Sequence, residues 1–162
     1  LRKEIPDITI RTTFIVGYPS ESEKDFEELC DFIREIKFDR IGTFTFSVEE
    51  NTSRYILGDP VSEEEKERRK NVLMEIQKDI SLEKNELFIG KKLKVLIESV
   101  EGDFFVGRSY RDAPEVDGEI LINKKNNKIK IGKFYDVVIN DFDEYDLFGD
   151  ILFKKRKVKW KK

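Results

Sequence analysis

Histidine is absent from this chain, and cysteine occurs once, at Cys30. Without an imidazole, no Ser-His-Asp, Cys-His or histidine-based metal constellation can be assembled within it. One thiol excludes an internal disulfide and cannot by itself hold an iron–sulfur cluster, which needs several thiolates. No apolar run approaches the roughly 18 residues that span a bilayer, and no signal-peptide pattern is visible. These absences predict a soluble, cytoplasmic protein with no membrane partner. No internal repeat is found. The first residue is Leu1 rather than methionine, which suits a fragment of a longer protein.

A basic excess is also missing from most of the chain. The formal charge is −3 over 162 residues. Residues 1–90 carry 14 basic and 21 acidic side chains, and residues 91–153 carry 10 and 13. The last nine residues carry seven basic groups and no acid. A nucleic-acid binder normally shows a basic face, and here the body is acidic in sum. The basic tail is read as a loose segment that touches RNA weakly or stays solvated. What is plentiful is charge, at 40%, and phenylalanine, with 13 residues to fill a core.

The first 60 residues read as strand, helix, strand. Ile8–Val16 is rich in β-branched residues and lies between Pro6 and Gly17-Tyr18-Pro19. Ile8, Ile10, Thr12, Phe14 and Val16 alternate onto one face, which would pack under helices, and Thr9, Arg11, Thr13 and Ile15 onto the other. Ser22 with Asp25 caps a helix start, and Phe26, Leu29, Cys30, Ile33 and Ile36 recur at helical spacing. Cys30 within that stripe reads as an inert core thiol. A second strand runs from Arg40 to about Ser47, giving one βαβ unit with parallel pairing. Ser62 and Glu65 open a long helix whose buried side is marked by Val72, Leu73, Ile76, Ile80, Leu87 and Phe88, with Gly90 as its closing residue.

From Lys91 the periodicity changes to two. Five short strand candidates, with turns at Gly102-Asp103 and Asn126-Asn127, predict a small OB-like barrel. Between its second and third strands lies G-R-S-Y-R-D-A-P-E-V-D-G, residues 107–118. Pro114 stiffens this loop and the flanking glycines let it turn. It reads either as a solvated hairpin connection or as a recognition loop.

That run resembles the TRAM-domain signature of RimO, the ribosomal-protein methylthiotransferase family, and the resemblance extends over essentially the whole chain. It implies an α/β plus all-β architecture. Residues 1–60 would be the last strands and helix of a radical S-adenosylmethionine (partial TIM-type) barrel and 61–90 a long connecting helix. Residues 91–153 would be a five-stranded OB-like TRAM barrel, and 154–162 a basic tail.

Thr12–Glu21 resembles the fifth strand of the radical barrel, where the family pattern approximates G-x-I-x-G. On that likeness Ile15 would pack on an adenine and Gly17 would allow close approach, with Thr13 standing where the pattern has glycine. Phe44–Ser47 resembles the sixth strand and points to Phe46 beside the adenine. Arg11 and Thr13, on the face turned to a cavity, complete the expected cofactor-binding set.

The family implies S-adenosylmethionine and two 4Fe-4S clusters in the whole protein, with the cluster cysteines outside this chain, and a fragment inactive alone. It also implies methylthiolation of an aspartate β-carbon in a basic small-subunit ribosomal protein, met free or in the assembled subunit. The tRNA-modifying relative MiaB carries more basic loops, whereas this loop offers Asp112, Glu115 and Asp117. With Arg108 and Arg111 these form the expected substrate-binding set, because carboxylates attract a cationic protein and repel phosphate. Arg108 and Arg111 pairing with neighbouring acids to stiffen the loop is the structural alternative. A tRNA methylthiotransferase and a non-catalytic OB-like RNA-binding module are the other functional readings.

Overall fold

The computed structural model describes residues 1–49, 55, 58–114, 116–124 and 129–152. Glu50, Glu115, the Asn126-Asn127 turn and the basic tail lie outside the described residues. Two compact units are present, Leu1–Lys84 and Asn85–Lys162.

The first unit holds β1 (Arg11–Val16), α1 (Glu23–Ile36), β2 (Arg40–Thr45) and most of α2 (Glu63–Glu86). β1 and β2 pair in parallel, with Arg11 opposite Arg40 and Ile15 opposite Phe44. Ser22 and Asp25 form a reciprocal capping box at the start of α1, and Lys37 closes that helix in the left-handed conformation. One face of the sheet packs Ile10, Phe14, Val16 and Ile41 against Phe26, Cys30 and Ile33 of α1 and Leu73, Ile76 and Ile80 of α2. Cys30 is buried in this cluster, and burial raises its thiol above the ordinary value.

α2 departs from its sequence reading in two ways. It ends at Glu86 rather than running to Gly90, because the Gly90 N–H is drawn to the Ile139 carbonyl of the following barrel at 2.8 Å. Leu87, expected on the buried side, is consequently exposed. The buried face of α2 also contains Lys66, Arg69, Gln77 and Ser81 alongside its aliphatic residues.

The second unit is a closed barrel of β3 (Lys92–Glu101), β4 (Phe104–Arg108), β5 (Ile120–Asn123), β6 (Phe134–Phe142) and β7 (Leu147–Ile151). Strand order is β3-β4-β5-β7-β6, closed by the β3–β6 pairing. β5 and β7 run parallel, and the other neighbours are antiparallel. Leu93, Val95, Ile97, Ile120, Ile122, Val137, Ile139 and Leu147 alternate inward to form the core, each worth roughly 1.5–3 kcal/mol when fully buried. Closure leaves no free sheet edge. The expected five-strand barrel is therefore present.

Candidate functional site

In the first unit, alternation along β1 puts Arg11, Thr13 and Ile15 on the face away from the core, and all three are exposed. Ile15 and its register partner Phe44 are each 60% exposed and side by side. Phe44 was not singled out in the sequence, although it follows the same alternation as Phe46. Phe46 lies just past β2. Its N–H donates to the Val16 carbonyl at 2.8 Å, and its ring meets Tyr18 edge-on at 5.4 Å. Arg11 stands four residues before Ile15, about 13 Å away at strand rise, at the opposite end of β1 from Gly17.

Gly17 has φ +80°, and a Cβ there would come 2.4 Å from Lys66 Cγ. The space that glycine leaves on this side is thus filled by a lysine of α2. Lys66 is fully buried and donates to the Phe46 carbonyl at 3.0 Å and to Glu63 Oε1 at 2.7 Å, with Asp59 as a further partner. Burial works to lower its pKa, but the Asp59 and Glu63 carboxylates outweigh this and raise it. Next along the helix, Arg69 donates to Glu21 Oε1 at 2.6 Å, and Glu21 Oε2 accepts the Gly17 N–H at 3.0 Å. Lys66 and Arg69 were not singled out in the sequence.

The two expected cofactor groups fit these residues unequally. The adjacent apolar Ile15 and Phe44, open to solvent at the carboxyl end of a parallel strand pair, suit the flat face of an adenine. Iron–sulfur clusters do not fit. The one thiol is buried, and among the described residues no group of three or more His, Cys, Asp or Glu side chains could hold a metal.

In the second unit the charged loop folds back on itself. Asp112 Oδ2 accepts from the Ser109 N–H at 3.0 Å and from its hydroxyl at 2.8 Å. Asp117 Oδ2 accepts from the Ala113 N–H at 2.6 Å. Arg108 donates to Glu98 Oε1 of β3 at 2.7 Å. Arg111 is buried, its guanidinium 3.8 Å from the Phe88 ring centroid.

Beside the loop is a cleft of about 400 Å³, lined among others by Glu98, Arg108, Val116, Asp117, Glu119 and Asp146. The cleft thus brings together Arg108 and Asp117 of the expected set. Arg111 and Asp112 do not line it, and Glu115 lies outside the described residues. Glu98, Glu119, Tyr145 and Asp146 had not been singled out. Four acidic residues and one arginine line the cleft. Partial burial, then repulsion from Glu101, Asp146 and Glu98, raises the Glu119 carboxyl above its ordinary value. Tyr145 and Val116 are exposed at the rim. Such a cleft suits a cationic side chain with an apolar stem.

Residues 89–152 match the family model described as TRAM domain. Over 152 residues, 94% of this chain, the sequence is 49% identical to the ribosomal protein uS12 methylthiotransferase RimO of Cytophaga hutchinsonii. Nearly the whole of this chain is similar to part of the RimO proteins. Its RimO relative in Chloroherpeton thalassium is 46% identical over 155 residues, and that in Thermotoga maritima 45% over 152, again 94% of this chain. The chain spans about a third of the length of these RimO relatives, 35% or 36% in each case. Among the described residues, no helix is long and apolar enough to cross a membrane.

Proposed function

We propose that this chain is the part of a radical S-adenosylmethionine methylthiotransferase that supplies one wall of the adenosine pocket and the domain that docks the protein substrate. Residues up to about 60 would then belong to the radical barrel, and the whole protein, in the cytoplasm, would methylthiolate an aspartate of uS12. The activity for which the relatives are named supports the reaction class. When bound, S-adenosylmethionine and the iron–sulfur clusters would supply the radical and sulfur chemistry, with the clusters held by residues outside this chain. Within it, Ile15, Gly17, Phe44 and Phe46 would shape the adenine side of the pocket.

The observation that carries the docking role is the cleft, in which Glu98, Asp117, Glu119 and Asp146 outnumber Arg108. Ribosomal proteins are rich in lysine and arginine, and such a surface attracts them while repelling a phosphate backbone. Asp112 and Asp117 serve mainly to hold the loop, which leaves Glu119, together with Glu98 in its pair with Arg108, as the contact groups.

The test is binding of fluorescein-labelled uS12 to the full-length protein, with tRNA as competitor. Glu98→Lys with Glu119→Lys is expected to weaken uS12 binding at least about tenfold, or 1.4 kcal/mol, while tRNA fails to compete. Retention of tRNA in place of uS12, or unchanged affinity in the double variant, overturns the docking role.

A further inference from the structure

Lys66 has no obvious reason, in stability terms, to be a lysine. It is fully buried, and a well-packed apolar side chain of similar length would spare the cost of desolvating an ammonium group. What a methionine or leucine could not do is bond to the backbone end of β2. Lys66 reaches two places at once. Its alkyl chain occupies the space beside Gly17 after β1, and its Nζ holds the Phe46 carbonyl after β2 at 3.0 Å. Asp59 and Glu63 grip the ammonium from the other side. Arg69, one turn on, holds Glu21 and through it the Gly17 N–H.

From these contacts we infer that Lys66 is a positioning residue for the adenosyl ligand, setting from α2 the separation and orientation of the two strand ends that carry Gly17 and Phe46. The inference rests on the pocket proposed above. It extends that pocket to a helix residue that touches neither reacting atoms nor ligand.

The experiment is equilibrium dialysis of S-adenosylmethionine against the full-length protein, with thermal melting of each variant. Lys66→Met keeps the alkyl chain and removes the donor. It is expected to raise the dissociation constant by about tenfold or more, the scale of a small misplacement at a binding site. Lys66→Arg restores the donor and is expected to recover most of that affinity. Leu73→Ala, in the same core, is expected to melt at least as low as Lys66→Met yet keep affinity within about twofold.

Equal weakening in Leu73→Ala, or none in Lys66→Met, reduces Lys66 to a structural residue and overturns the inference. Should Lys66→Met fail to fold, Asp59→Asn loosens the ammonium without opening the core. It must then shift affinity in the same direction, and unchanged affinity overturns the inference. Absence of S-adenosylmethionine binding in the unaltered protein would instead remove the pocket itself, and the inference with it.

Discussion

Arg111 of the charged loop lies over the ring of Phe88, its guanidinium 3.8 Å from the centroid. Phe88 belongs to the turn that delivers the chain from α2 into β3. The contact therefore pins the loop between β4 and β5 to the entrance of the barrel. A residue that looks like a surface recognition group in the sequence is a buried strut, 7% exposed.

Removing the strut should be costly. A desolvated cation–π contact is worth about 2 kcal/mol, and Arg111→Ala also deletes the packing of the side-chain stem. Arg111→Ala is expected to destabilise the chain by at least that amount in urea unfolding. Because Phe88→Leu removes the same contact, the two variants together should cost less than the sum of the singles. Strict additivity would show that the stack contributes nothing.

Gly118 lines the acidic cleft. A Cβ at this position would lie 1.8 Å from the Tyr145 carbonyl oxygen and 2.7 Å from its carbon, both backbone atoms that cannot swing aside. Gly118→Ala is expected to push apart the loop and the β6–β7 turn, with an overpacking cost of about 1–3 kcal/mol. If the cleft docks uS12 as proposed, this variant should also weaken that binding beyond what the lost stability explains. Denaturant midpoints and binding isotherms on the same preparation separate the two effects.

Two carboxylates should respond to pH with opposite sign. Hydrogen bonds from Arg68 and Arg69 hold Glu65 at about 2, below its usual 4.5. Its stabilising contribution is complete above 4.5 and is lost as pH falls toward 2. Glu65→Gln should therefore destabilise the protein at neutral pH and matter progressively less below 4.5. Glu119 is raised above 4.5, so the folded state holds its proton more tightly and ionisation penalises folding as pH climbs past that value. Glu119→Gln should be stabilising at neutral pH and near neutral in effect well below 4.5. Urea melts at pH 3 and pH 7 read both signs.

The barrel was legible in the sequence because its strands alternate with period two and bury one face. The strand–helix–strand unit was legible for similar reasons, with Ser22 and Asp25 marking the helix start. The end of α2 was not, because Gly90 closes a turn paired with Ile139, a partner 49 residues away that local pattern cannot show. The charged loop exposed a further limit. Charge spacing suggested a surface, but Asp112 and Asp117 turn inward to satisfy backbone donors and Arg111 turns inward onto an aromatic ring. The acids that form the cleft, Glu98, Glu119 and Asp146, come from three separate stretches and meet only when the barrel closes. Lys66 and Arg69 were missed because charged residues on a helix are ordinarily solvated.

The proposed adenosine pocket makes a graded prediction along β1. Ile15 and Phe44 are each 60% exposed, so truncating either to alanine should change stability by no more than about 0.5 kcal/mol. If an adenine lies across them, each truncation should nonetheless weaken S-adenosylmethionine binding to the full-length protein, and the double variant more so. Arg11 lies some 13 Å up the strand from Ile15, at the end opposite to where ligands sit on parallel strands. Arg11→Ala is therefore expected to leave that affinity unchanged. Equilibrium dialysis of the four proteins decides the matter. Loss of affinity in Arg11→Ala with retention in Ile15→Ala and Phe44→Ala would move the ligand to the amino end of the strand and remove the adenine role of both apolar residues.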